Sequence, residues 1–228
     1  MLKQNVEKIL NQIKNGNNLG EEITLVAATK TVSPDTINQS IEYGIKVVAE
    51  NKVSEFREKH ALIKGASQHF IGHLQTNKVK YLVGNVSLIH SVDSIHLAQA
   101  ISEQAQKKNV TQDILVQINI GKEEQKGGLY PEQAIEGVKQ IASMQGLNVK
   151  GIMAMLPLSD DQLLLKNLCL KMREFFDKLK LDGLDMKYLS VGMSADYKIA
   201  IANGSNMIRL GSSIYGKRNY GGTQNGII

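Results

Sequence analysis

Short apolar runs alternate with helix-patterned stretches along this 228-residue chain. The runs fall at Ile23–Thr29, Lys46–Ala49, His69–Ile71, Ser87–His90, Ile114–Ile120, Val149–Ala154, Tyr188–Val191 and Met207–Leu210. Runs of this length, bounded by turn residues, predict buried strands. Between them, helical spacing marks Asp35–Tyr43, Ser94–Lys107, Pro131–Met144, Gln162–Leu179 and Ala195–Ala202. Pro131 stands at a favoured first helical position, while Gly44, Gly84, Gly146 and Gly204 stand where helices should stop. Leu2, Val6, Ile9, Leu10 and Ile13 predict a further amphipathic helix at the N-terminus.

Alternating strands and helices imply a parallel sheet. Eight such units in this length predict an α/β fold, a single (β/α)8 barrel domain over residues 1–228, with the N-terminal helix on its floor or flank. An open doubly wound sheet is the alternative, but its G-x-G-x-x-G signature is missing. The Gly221-Gly222 tail is expected to be loose.

Composition narrows the functional classes. The net charge of +5 is spread out, with no basic cluster interleaved with aromatics. A phosphorylated small molecule is therefore a better expected ligand than nucleic acid. No stretch approaches the roughly 20 apolar residues of a membrane span. The N-terminus lacks the continuous apolar segment of a secretory signal. Cys169 is the single cysteine, which excludes an intrachain disulfide and fits a cytoplasmic protein. Flanked by leucines, it reads as a small core residue.

Candidate chemistry gathers at predicted strand ends. Lys30 closes the first apolar run, and Ser33-Pro34 reads as the cap and first turn of a helix. A barrel builds its site at such strand ends. A desolvated lysine loses its proton readily and attacks aldehydes. Read alone, Lys30 also fits a lysine snorkelling out of a strand end. Gly192-Met193-Ser194 and Gly211-Ser212-Ser213 follow the seventh and eighth runs, where barrels often bind phosphate. Two ordinary capped turns would look the same. Arg209, two residues before Gly211, should point into the barrel mouth and needs a carboxylate or a ligand atom as partner. The stretch Gly211 to Arg218 imitates a P-loop but lacks its hydroxyl and lies after the last strand. His69 and His73 fall on a strand-like run and do not form a helical metal pair; His90 reads as a hydrogen-bonded structural histidine. His60 and His96 are expected on helices, at the surface or flank.

Taken in order, several segments resemble the pyridoxal phosphate homeostasis protein family, whose barrel is similar to the N-terminal domain of alanine racemase. They are Val26-Ala27-Ala28-Thr29-Lys30-Thr31, Glu50-Asn51-Lys52-Val53-Ser54-Glu55, the stretch His69 to Lys78, and Ile89-His90-Ser91-Val92-Asp93. Gln117-Ile118-Asn119 with Lys126-Gly127-Gly128, Gly151 to Met155, Leu189 to Asp196 and Ile208 to Gly216 continue the match. The resemblance implies pyridoxal 5′-phosphate as cofactor, held as a Schiff base on Lys30. It implies Ser194, Gly211 and Ser212 as phosphate ligands, Arg209 facing the pyridine nitrogen, and Asn51 and Met153 lining the pocket. Lys126 matches a lysine with a secondary role in handing over cofactor, and a solvated loop lysine is the plainer reading. Thr29 stands where serine is common, Ser212 where threonine is common, Gln68 for a frequent tryptophan, Ala49 for a frequent glycine, and Val32 for an occasional lysine.

Three functions fit these residues. The resemblance implies a non-catalytic carrier that passes the cofactor to apo-enzymes. An amino-acid racemase or lyase of the same barrel is the second, although racemases need a further β-rich domain and only about a dozen residues follow the eighth unit. An arginine at the pyridine nitrogen would leave it unprotonated, a poorer electron sink. The third is a Schiff-base aldolase on a sugar phosphate. No dimerising element is evident, so a monomer is expected.

Overall fold

The computed structural model describes residues 1–216. The Gly221-Gly222 tail and the Lys217-Arg218 end of the P-loop-like stretch lie outside them. Eight parallel strands close into a barrel in chain order. They are β1 (Thr24–Ala28), β2 (Val47–Glu50), β3 (Ser67–Phe70), β4 (Leu88–Val92), β5 (Gln112–Ile118), β6 (Leu147–Ala154), β7 (Tyr188–Ser190) and β8 (Met207–Leu210). Closure comes from β8 pairing back onto β1, with Thr24 opposite Met207 and Val26 opposite Arg209.

Outside lie α1 (Leu2–Ile13), α2 (Pro34–Glu42), α3 (Val53–Lys59), α4 (Ile95–Lys107), α5 (Ala134–Ala142), α6 (Gln162–Leu181), α7 (Tyr197–Ile201) and α8 (Ser212–Tyr215). Each predicted strand is present, displaced by a few residues at most. The helices differ more. α3 was not foreseen, because it is seven residues long and buries only Phe56, too little for a periodicity to show. The predicted helix from Pro131 divides into a 3₁₀ turn, Pro131–Gln133, and α5. The β3–β4 connection is also 3₁₀, Thr76–Tyr81.

Strand residues alternate between two cores. Val26, Ala49, Leu88, Leu115, Met153 and Met207 meet inside the barrel. On β8 the intervening Ile208 and Leu210 face outward, in a cluster with Val6, Ile9 and Ile13 of α1 and Ile37 of α2. Burying each such side chain contributes about 1.5–3 kcal/mol. α1 thus covers the flank over β8, β1 and β2, and Asn5 Nδ2 ties it to Ile214 O at 3.0 Å. Ser33 caps α2 as the sequence predicts, accepting from Thr36 N–H ahead of Pro34, and Ser94 caps α4, accepting from Leu97 N–H. Cys169 is buried and burial pushes its thiol up to about 12, as a core residue rather than a reactive one.

Candidate functional site

The strand order brings residues from both ends of the chain to one mouth. Inward positions on β1 are Val26 and Ala28, and Lys30 follows in the turn after the strand; Ala28 pairs with Ala49, and Val26 with Arg209. Two cavities open there and share Ala28, Gly211 and Ser212. One, ≈ 480 Å³, is lined also by Asn51, Ile71, Met155, Met193, Ser194 and Arg209. The other, ≈ 320 Å³, is lined by Lys30, Thr31, Ser33 and Tyr215. Lys30, Asn51, Ser194, Arg209, Gly211 and Ser212 are therefore brought together. Met153 is not at the surface of either cavity. It sits in the inner cluster below, and Met155, two residues on, lines the mouth.

Lys30 is half-buried, and no hydrogen bond or ion pair with another described residue engages its Nζ. It occupies the second position of a turn closed by Val32 N–H donating to Thr29 O at 3.0 Å. Thr29 keeps a hydroxyl, but that group donates to Ala49 O and Glu50 Oε1 at 3.0 and 2.6 Å. It serves the wall behind the mouth.

Arg209 is 5 % exposed. Its partners are neutral: Ser190 O at 2.7 Å, Ser190 Oγ at 2.6 Å and Ala154 O at 2.8 Å. Burial pushes its guanidinium down to about 10, which leaves it charged at neutral pH. Behind Ser190, His90 Nδ1 lies 3.5 Å from Ser190 Oγ, and His90 Nε2 lies 3.0 Å from His69 Nδ1. Arginine only donates. The Ser190 hydroxyl hydrogen is thus free to point at His90 Nδ1, and His90 Nε2–H at His69. Burial holds both imidazoles neutral, His69 at about 4 and His90 well below its ordinary value. His90 is structural, as expected. His73 is exposed and meets Asp93 at 3.3 Å. His60 stacks on Phe56, and His96 is exposed.

The two glycine loops differ. Gly192 has φ +107°, and a Cβ there would meet the backbone of Tyr197 at 2.9 Å, so the turn into α7 requires glycine. Gly211 has φ −116°, open to any residue, and its bare backbone faces the cavity. Ser194 Oγ accepts from Ser213 N–H at 3.4 Å, which aligns the two loops. α7 and α8 are five and four residues long, so their dipoles add little. Ser194, Ser212 and the Gly211 backbone line the cavity beside Arg209.

Two residues, Tyr215 at the mouth and Glu50 in the wall behind it, escaped the sequence reading. Glu50 ends β2, and burial raises its carboxyl above the usual range. Its signal was the same as that of Lys30, a charge closing an apolar run. Tyr215 donates to Ser40 Oγ at 2.9 Å, since Ser40 itself donates to Ile37 O, and burial pushes its phenol up to about 12. Gln68, in place of tryptophan, donates to His60 O at 2.9 Å. Lys126 is no free loop lysine: it pairs with Glu123 and donates to Leu156 O at 3.0 Å.

The family profile described as alanine racemase, N-terminal domain, matches residues 2–219. The pyridoxal phosphate homeostasis protein of Aquifex aeolicus is 37% identical over 220 residues, 95% of each chain. That of Haemophilus influenzae is 32% identical, over 96% of this chain and 95% of the relative. This chain belongs to the pyridoxal phosphate homeostasis protein family. A solved structure of similar shape is PipY of Synechococcus elongatus with pyridoxal phosphate bound, at TM-score 0.84 and 25% identity over 95% of this chain and all of that one. The family shares its barrel with alanine racemase of Clostridium difficile, at TM-score 0.76 and 19% identity, where the match spans 94% of this chain and 57% of the racemase.

Proposed function

We propose that this chain is a single-barrel protein that holds pyridoxal 5′-phosphate as a Schiff base on Lys30. It keeps that cofactor available to apo-enzymes in the cytoplasm, without turnover of its own and as a monomer. The observation that carries the reading is the convergence of Lys30, Arg209, Ser194, Gly211 and Ser212 on adjoining cavities. The family and the ligand bound in PipY support it.

The residues fit the group. When bound, the cofactor supplies an aldehyde that condenses with an amine and a ring that withdraws electrons. The Ser194 and Ser212 hydroxyls and the Gly211 backbone N–H would donate to the phosphate. Asn51 and Met155 would line the rest of the pocket, above Met153 in the inner cluster. Arg209 presents a donor that keeps its charge, and its two carbonyl partners hold it in place. Tyr215 keeps its proton at neutral pH, bonded to Ser40. A mouth in which Arg209 and Tyr215 are held in place suits retention of the cofactor.

The visible spectrum of purified protein with added pyridoxal phosphate, before and after borohydride, tests the reading. A yellow band bleached by reduction, an adduct mapped to Lys30, and no racemisation or cleavage of amino acids are expected. A protein that takes up no cofactor would sink the proposal and favour sugar-phosphate chemistry. Amino-acid turnover lost in Lys30→Ala would make the chain an enzyme.

A further inference from the structure

The turn that carries Lys30 is strained. Thr31, its third residue, has φ +65°. A positive φ at this position of a turn belongs to glycine or asparagine, and a β-branched residue there is an outlier. Such strain persists only where the surroundings over-determine it.

The surroundings are two side chains of α3. Glu55 Oε2 accepts from Thr31 N–H at 2.8 Å. Lys59 Nζ donates to Thr29 O at 3.2 Å, the same carbonyl that closes the turn. The two are bound to each other at 2.7 Å, and Lys59 also reaches Glu50 Oε1 at 3.1 Å. Glu50 in turn accepts from Thr29 Oγ1 at 2.6 Å. Thr31 Oγ1 donates to Lys30 O at 2.6 Å. The Thr29 carbonyl and the Thr31 N–H, on either side of Lys30, are thus held by α3, while Lys30 lines the cavity. Lys59 and Glu55 are 12% and 17% exposed, so the ion pair between them is largely desolvated, and from it Glu55 reaches the exposed Thr31 N–H.

We propose that Glu55 and Lys59 are positioning residues: they hold the Thr29–Val32 turn in its strained form and so aim the Lys30 amine at the cofactor. This deepens the cofactor reading and rests on it. Without the grip, the turn relaxes toward a negative φ at Thr31 and swings Lys30 away. Glycine at position 31 would carry no such strain, and the grip would then be dispensable.

The test uses four full-length proteins: the parent, Glu55→Ala, Thr31→Gly, and the double variant. Two quantities are measured on each: hydrogen exchange of the Val32 amide without cofactor, and the fraction of Lys30 trapped by borohydride at a fixed pyridoxal phosphate concentration. Glu55→Ala should speed Val32 exchange at least tenfold and lower trapping several-fold, with circular dichroism unchanged. The double variant should return both to within about twofold of Thr31→Gly. Lys59→Met should reproduce Glu55→Ala if that protein proves too unstable. Unchanged exchange and trapping in Glu55→Ala, or loss that glycine does not rescue, would overturn the proposal. If the parent traps no cofactor while Val32 still responds, the cofactor reading has failed and the turn's grip has only a structural role.

Discussion

Arg209 is a buried cation whose described partners are two carbonyls and a hydroxyl. Its removal leaves those acceptors buried and unmatched, at about 1–3 kcal/mol each before relaxation. Arg209→Met should therefore lower unfolding free energy by about 2–4 kcal/mol in urea titrations and weaken cofactor retention as well. Lys30 behaves oppositely. Its amine serves no described contact, so Lys30→Ala should abolish the borohydride-stable adduct while moving Tm by no more than a few degrees. An adduct surviving in Lys30→Ala would place the chemistry on another lysine, Lys126 first. Lys30 and Arg209 stood out as charges at the ends of apolar runs, each with a bland reading beside it, and the resemblance supplied their expected roles. Glu50 carried the same mark and went unread, since no expected chemistry called for a carboxylate there. Met153 shows the opposite failing: a position matched by resemblance, where strand periodicity alone places Met155 higher in the mouth.

Strands were easier to foresee than helices because a barrel strand is buried on both faces and shows as an unbroken run. α3 is short and binds the Lys30 turn through polar side chains, so apolar periodicity had nothing to report. Connections follow the same logic at Gly72. A Cβ there would meet Asn51 O at 1.8 Å and Asn51 C at 2.5 Å, so the loop after β3 lies directly on the loop after β2. Gly72→Ala should push these loops apart, at about 3 kcal/mol or more, and displace Asn51 from the mouth. A urea midpoint equal to the parent's would refute this. The capping of α6 is a milder case: Asp161 Oδ1 accepts from Leu163 and Leu164 N–H, and Asp161→Ala should cost about 1 kcal/mol without touching the site.

Over the whole molecule, the polar heart of the barrel sets how the fold responds to acid. His69 is held at about 4 against an ordinary 6.5. The unfolded chain takes up that proton first, so His69's contribution is complete above pH 6.5 and lost as pH falls toward 4. The loss is about 3 kcal/mol, and His90 adds to it in the same direction. Glu50, raised by burial, opposes part of this slope at the acid end. Urea unfolding at several pH values should show stability dropping below pH 6.5, with a shallower slope in His69→Gln. The closed barrel was legible from the number and spacing of its runs. The partnership of His69, His90 and Ser190 was not, because it joins three strands through positions that single-run patterns treat as interruptions.

One consequence follows from the closure of β8 onto β1. The Lys30 turn is made early in synthesis, yet Arg209, Gly211 and Ser212 come from the far end and meet it only when that seam zips. If the proposed binding mode holds, a nascent chain on the ribosome would have the amine but no receptor for the phosphate. Capture of the cofactor would then report that the β8–β1 seam has closed, and the bound ligand would bridge that seam.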